Sequence, residues 1–172
     1  TYTVGPQARF TVWANAIAEL AGNSFATTVR ATQPVIAERA VYFWSGTSGW
    51  RGGHVSAGAT APAQRWFVAE GRTGPFFDTY VLIGNPGASA VTATLRYLTQ
   101  AGLTRTDVVG LEDAEFSTVI RSNLFVAADR TMTWDANVYG SHAETGVASP
   151  NATWYLAEGA TSSFFDTRIA IL

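Results

Sequence analysis

The sequence predicts an all-β protein built from tandem antiparallel β-sandwich units, and three observations lead there. The composition is 47% hydrophobic and only 14% charged, with 16 glycines and many Thr, Ala and Val residues. That balance suits packed strands better than helical bundles or disorder. A specific string also recurs: "WFVAEGRTGPFFDT" begins at Trp66 and "WYLAEGATSSFFDT" begins at Trp154, 88 residues later. Self-similarity at a fixed period marks repeated structural units. Finally, short runs rich in β-branched and aromatic residues return roughly every 10 to 15 residues between turn-rich pieces, the spacing of short antiparallel strands.

Taken in order, "RFTVWAN" from Arg9 and "FATTVRA" from Phe25 read as strands. Between them "AIAELAGN" from Ala16 is the one piece that suggests a helical turn. "VIAERAVYFW" from Val35 is the next strand, followed by a glycine-serine loop, "FWSGTSGWRGG", that carries Trp44, Trp50 and Arg51. After Trp66, "TYVLIGNPGASAVTATLRYLTQAGLTRTDVV" from Thr79 reads as strand, turn, strand, turn, strand. Asn85-Pro86-Gly87 supplies the first turn, because proline fixes φ and glycine accepts positive φ. From Val91 to Tyr97 the alternation is clean: Val91, Ala93, Leu95 and Tyr97 face the core, and Thr92, Thr94 and Arg96 face water.

The repeat extends beyond the opening string. "FSTVIRSNLFVAADRTM" from Phe116 matches "FATTVRATQPVIAERAV" from Phe25 at an offset of 91, whereas His54 and His142 match at 88. Three residues are therefore lost from the second copy in the intervening loop, where length changes are tolerated. Near Thr104 the copy also lacks about a dozen residues corresponding to "ARFTVWAN", since "TYT" at Thr1 pairs with "TRT" at a larger offset. These matches divide the chain into the back part of one repeat (1–65), a complete but shortened repeat (66–153) and the first strands of a third (154–172). Units of this size made of short antiparallel strands describe an immunoglobulin-like or fibronectin-like sandwich, with a closed barrel as the alternative.

Composition also excludes chemistry. A net charge of −2 and the absence of a basic stripe argue against a nucleic-acid partner. All 11 basic residues are Arg, so Schiff-base lysines, lysine nucleophiles and Lys-Asn isopeptide crosslinks are ruled out. With no Cys there is no disulfide, thiol nucleophile or Cys-ligated metal. No apolar run is long enough to insert in a membrane, and the N-terminus shows no charged-then-apolar leader pattern.

The motifs "WFVAEG", "NPG", "VIAERAVYF" and "GGHVSAGATAP" together resemble tandem repeats of about a hundred residues found in very large secreted or surface proteins of bacteria. The resemblance covers essentially the whole chain. It implies an extracellular β-sandwich array, no cofactor and no catalytic residue that carries over. The shortened middle of the second repeat is a departure from that pattern.

Each candidate site has a structural reading beside its chemical one. Glu70 and Asp78, matched by Glu158 and Asp166, could place two carboxylates together for calcium or acid/base work. The structural expectation is that Glu70 caps a strand end and Asp78 bonds backbone amides in the turn before Thr79. Glu38-Arg39 and Asp129-Arg130 sit in apolar strands and must point to opposite faces, which predicts a buried Arg paired with a carboxylate of the Ala-Glu-Gly segment. His54 and His142 stand one per repeat, too few for a three-His zinc site and without a triad arrangement. Trp44, Trp50 and Arg51, with Trp134 and Tyr139 as counterparts, would either stack on a ligand such as a glycan or fill the junction between repeats.

The recurring string reads as architecture: Trp66 and Trp154 as core anchors, Gly71 and Gly159 as turn residues, Phe77 and Phe165 as packing residues. The expected function is a non-enzymatic structural segment of an extracellular bacterial array, stalk or filament. Its partners would be neighbouring copies of itself, with strand complementation between units as one mode of assembly. An adhesion module that binds surface glycans through the aromatic loops is the alternative.

Overall fold

The computed structural model describes residues 1–44, 50–102, 104–106, 111–134, 140–157, 162–163 and 169–172. The described residues are all-β, with antiparallel pairing throughout and no α-helix. They form two compact units, Thr1–Arg30 and Ala31–Leu172.

Thr1–Arg30 contains no strand. Residues 9–15 and 25–31, expected as strands, join no ladder among the described residues, and two single 3-10 turns occupy Ala14–Ala16, overlapping the end of the first, and Ala18–Leu20. Turn geometry therefore appears where "AIAELAGN" predicts it. A strand, by contrast, exists only where a neighbour takes its N–H and C=O groups, and β-branched composition alone does not supply that neighbour.

Eight strands make up the second unit: β1 (Glu38–Trp44), β2 (Trp50–Ala57), β3 (Ala63–Val68), β4 (Phe77–Gly84), β5 (Ala93–Thr99), β6 (Thr104–Arg105), β7 (Phe116–Trp134) and β8 (Gly140–Thr145). The organiser is β7, whose 19 residues serve two sets of neighbours in succession. Its first half lies between β3 and β5, with Ile120 opposite both Trp66 and Leu95. Its second half lies between β4 and β8, with Met132 opposite both Thr79 and His142.

The changeover falls at Ser122–Phe125. On β3, Ala63 faces Val126 and Arg65 faces Arg121, so the longer run on β7 bulges out of register. Local side-chain bonds hold the bulge: Ser122 Oγ donates to the Leu124 carbonyl, and Asn123 Oδ1 accepts from the Thr92 amide. Leu124 and Phe125 are turned outward, whereas Ile120 before the bulge and Val126 after it are fully buried. A bulge that bends a strand without changing which face is inward lets one strand pair with two sets of neighbours in succession.

That core is Trp66, Ile120, Val126 and Ala128, with Ala63, Val81, Val91, Ala93 and Leu95 packed around it. The inward set on β5 is the one the alternation from Val91 to Tyr97 predicts; Thr92, Thr94 and Arg96 are exposed. Past β8 the chain folds back on β3, where Phe67 and Val147 exchange both backbone hydrogen bonds, at 2.8 and 2.9 Å.

The remaining strands, β1 and β2, form a separate hairpin whose register reproduces that of β7–β8 position by position. Glu38 faces Ala57, Arg39 faces Ser56 and Val41 faces His54. In β7–β8, Asp129 faces Thr145, Arg130 faces Glu144 and Met132 faces His142. The first member of each pair moves by 91 positions and the second by 88, so the three-residue difference falls at the strand ends, where β1–β2 adds Trp44, Trp50 and Arg51 past the Phe43–Gly52 pair that corresponds to Trp134–Gly140.

Candidate functional site

The centre of interest is the polar cluster around Arg130. Alternation along β7 turns this side chain to the same inward face as Val126, Ala128 and Met132, and it is only 1% exposed. A guanidinium in such a place must be paired. Its Nη1 donates to Glu70 Oε2 at 3.2 Å and to His142 Nε2 at 2.8 Å, and its Nη2 donates to Glu144 Oε2 at 3.3 Å. The Ala-Glu-Gly carboxylate thus meets a buried arginine, as the polar pairs inside apolar strands predict. Glu70 itself is 44% exposed and Glu144 70%, so both carboxylates keep water on one side. The arginine Nε is buried without a hydrogen-bond partner among the described residues.

His142 completes the cluster, which sequence reasoning did not foresee. A guanidinium only donates, so the imidazole Nε2 facing it carries a lone pair and the ring proton sits on Nδ1. Burial first, and Arg130 second, hold the affinity of His142 for a proton below its ordinary value of 6.5, against the pull of Glu70 and Glu144. His54, bonded through Nδ1 to Ser141 Oγ at 3.0 Å, is shifted the same way by burial, then by Arg39 and His142. Both histidines therefore bind a proton more readily in the unfolded chain. Their contribution to stability is complete above pH 6.5 and is lost as pH falls from there toward the lower folded values. Denaturation midpoints are expected to drop on going from about pH 7 to about pH 5.5, and less steeply in His142→Gln, which keeps an acceptor for Arg130 but cannot titrate.

The segment carrying Glu70 is held by contacts that differ from those expected. Gly71, expected as a turn residue, lies against the ring of Phe116, where a Cβ would come within 2.6 Å of Cε2. The residue in that turn with the unusual backbone is Gly74, at φ 142°. Asp78 does not tie the turn; it lies exposed in β4 opposite Thr133. Thr79 does so, accepting from the Arg72 amide at 2.9 Å and donating to the Arg72 carbonyl at 2.6 Å. Phe77 packs edge-on against Phe76 and under the Arg72 guanidinium. Gly71→Ala is expected to cost about 1–3 kcal/mol by overpacking against Phe116. Denaturant titration checks this, and Phe116→Leu in the same chain should recover part of the loss.

The other sequence-predicted residues fall as follows. Trp66 is a core anchor, 3% exposed, its indole N–H bonded to the Val126 carbonyl at 2.9 Å. Trp154 is 56% exposed, with its indole N–H on the nearby Asn151 carbonyl. Trp44 is paired with Trp50 in the backbone register at the mouth of the β1–β2 hairpin, and Arg51 follows in β2. Trp134 stands at the equivalent mouth of β7–β8, edge-on to His142 and stacked so closely over Gly140 that a Cβ there would meet its ring. Tyr139, Glu158, Gly159, Phe165 and Asp166 lie outside the described residues.

Chemically this is a site that holds elements together. Glu70 is engaged by Arg130, and the carboxylate pair Glu70 and Asp78 is not brought together around an ion: among the described residues no group of three or more His, Asp or Glu side chains is placed to hold a metal. A surface depression beside Arg72, Thr99 and Asp113 has its cation already bound to Glu115 at 2.9 Å. No protein-family model, no curated protein and no solved structure matches this chain.

Proposed function

We propose that the chain is a structural, non-enzymatic repeat segment of an extracellular bacterial surface array, such as a stalk or filament, built from tandem β-sandwich units. The observation that carries this reading is the duplicated hairpin: β1–β2 and β7–β8 share one register, with the arginine and the histidine at equivalent positions in both. Two further contacts favour stacking of such units. Arg39 Nη1 bonds Asp129 at 3.2 Å, and Thr145 Oγ1 donates to the Ala57 carbonyl at 2.5 Å, so each hairpin supplies polar partners to the next. Repeats that brace their neighbours give reach and stiffness without chemistry.

The array reading is tested by light scattering over a concentration series, with negative-stain images of the largest species. Linear polymers of regular spacing are expected; a monomer whose mass does not change with concentration overturns self-assembly of this segment. The tryptophans at the hairpin mouths, Trp44, Trp50 and Trp134, favour a second reading as a glycan-binding adhesion module. Quenching of tryptophan fluorescence by an oligosaccharide, at concentrations where the protein stays monomeric, would decide for it.

A further inference from the structure

We infer that the outward face of β3, β5 and the first half of β7, around Arg65, Arg96 and Arg121, binds an acidic glycan: a polysaccharide chain that bears carboxylate or sulfate groups. This face takes no part in the contacts that carry the array reading, so the two are independent.

Strand pairing brings the three cations together. Trp66, Ile120 and Leu95 form one row across the sheet with their side chains in the core. The next row, Arg65, Arg121 and Thr94, therefore points outward, and all three residues are exposed. Arg96 lies opposite Val119, two positions along β7 from Arg121, and is exposed on the same face. Directly opposite residues hold their Cβ atoms about 4.5–5.5 Å apart and diagonal ones about 7–8 Å, so the three arginines share one small area.

Among the described residues nothing neutralises them. Arg39, Arg72 and Arg130 each bond a carboxylate, whereas Arg65, Arg96 and Arg121 make no ion pair or side-chain hydrogen bond within the described protein. Residues 63–68, 93–99 and 116–126 contain no Asp or Glu, although acidic residues outnumber basic ones by 13 to 11 in the whole chain. The segregation is therefore local and does not follow from composition. Like charges directly opposite each other on a sheet work against folding. The architecture does not require the pair either, since the 88-residue offset sets Thr153 where Arg65 stands. Two unpartnered arginines, held opposite each other at a position where the repeat also accepts a neutral residue, are accounted for by an anion that comes from outside.

The surroundings of the arginines narrow the anion. A guanidinium presents a planar fork that matches the paired oxygens of a carboxylate or sulfate. Thr94 stands beside Arg121 in the outward row, and Thr92 precedes it by two positions, both exposed. Neutral hydroxyls thus adjoin the cations, as hydroxyls adjoin the acid groups along a sugar chain. An open depression of about 510 Å³ lies beside the pair, bordered by Arg65, Arg121 and Ala148. Past the bulge Phe125, 59% exposed, turns outward and offers one aromatic surface to a sugar ring. Unpaired nucleic acid is held by a succession of such rings. The major groove of a duplex admits a helix or a two-stranded ribbon, and a three-stranded sheet met face-on does not fit it.

The whole chain is titrated calorimetrically at low salt with polygalacturonate and with dextran sulfate, and with neutral dextran as the control. Binding of at least one acidic probe and none of neutral dextran is expected, with affinity falling as salt screens the charges. The double variant Arg65→Gln with Arg121→Gln should bind about tenfold more weakly or worse, and Arg96→Gln about threefold more weakly. That double variant should unfold at the same urea concentration as the parent chain or a higher one, because its like-charge pair is gone; a merely structural pair of arginines would move the midpoint down. Arg9→Gln with Arg30→Gln removes equal charge from exposed sites in Thr1–Arg30 and should bind like the parent. No binding of either acidic probe, or an equal loss in the Arg9 and Arg30 variant, overturns the proposal. Equal affinity for single-stranded DNA of matched charge overturns it in favour of a general polyanion site. Self-association without glycan that disappears in the Arg65 and Arg121 variant overturns it in favour of an acidic surface on a second copy. Polymers that persist in that variant leave the array standing whatever the glycan titrations give.

Discussion

Trp66→Ala is expected to lower the unfolding free energy by about 3–5 kcal/mol, the range for removing a fully packed aromatic side chain. Two losses combine there. The indole fills the space between Ile120, Val126 and Ala128 at the point where β7 changes neighbours, and its N–H is the partner of the Val126 carbonyl. Since a domain of this kind is stable by only about 5–15 kcal/mol, the variant should approach unfolding near room temperature. Trp66→Phe separates the two contributions. It keeps most of the apolar volume but leaves a buried carbonyl without its donor, a loss of about 1–3 kcal/mol. Urea titrations of the three chains, followed by circular dichroism, measure both steps. A Phe variant as unstable as the Ala variant would show that the carbonyl matters more than the volume.

The second large effect is expected at Arg130. Arg130→Ala empties a fully buried site and removes the common partner of Glu70, Glu144 and His142, for a loss of about 3 kcal/mol or more. The cause is mainly packing. Glu70 and Glu144 are well exposed, so solvent screens their attraction to the guanidinium and rehydrates them when it is gone. The guanidinium meanwhile loses its own hydration and leaves Nε unpaired. Arg130→Met, which restores the volume without the charge, is therefore expected to recover most of the lost stability. It should also reduce the pH dependence in part: burial, the largest cause of the lowered His142 proton affinity, remains, and the smaller contribution of the Arg130 cation is removed. Denaturation midpoints of the Ala and Met variants at two pH values test both statements. Equal instability of Met and Ala would mean that the ionic cluster, and not the volume, holds the Glu70 segment to β7.

Some of this was readable one residue at a time. The alternation from Val91 to Tyr97 names the inward face of β5 because side chains on a strand alternate with a period of two, which needs no knowledge of neighbours. The buried Arg–Glu pair was readable for a related reason: adjacent charged residues inside an apolar strand must split between faces, and the inward one requires a counter-charge. His142 left no such signal, since its meeting with Arg130 depends on the β7–β8 register. The true reason for glycine at position 71 was equally hidden, because it lies in the ring of Phe116, 45 positions away in the chain.

What the sequence determined by itself, then, was the class of structure and its internal periodicity: strand-forming composition, turn chemistry and a duplicated string are local properties of the chain. The tertiary structure decided which segments became strands at all. Residues 9–15 and 25–31 have the composition of strands and pair with no strand among the described residues, whereas Phe116–Trp134 runs through 19 residues because four partners lie along it. The physical reason is that a strand's hydrogen bonds are made to another segment, so its existence, register and end points are properties of pairs, which no single stretch of sequence contains.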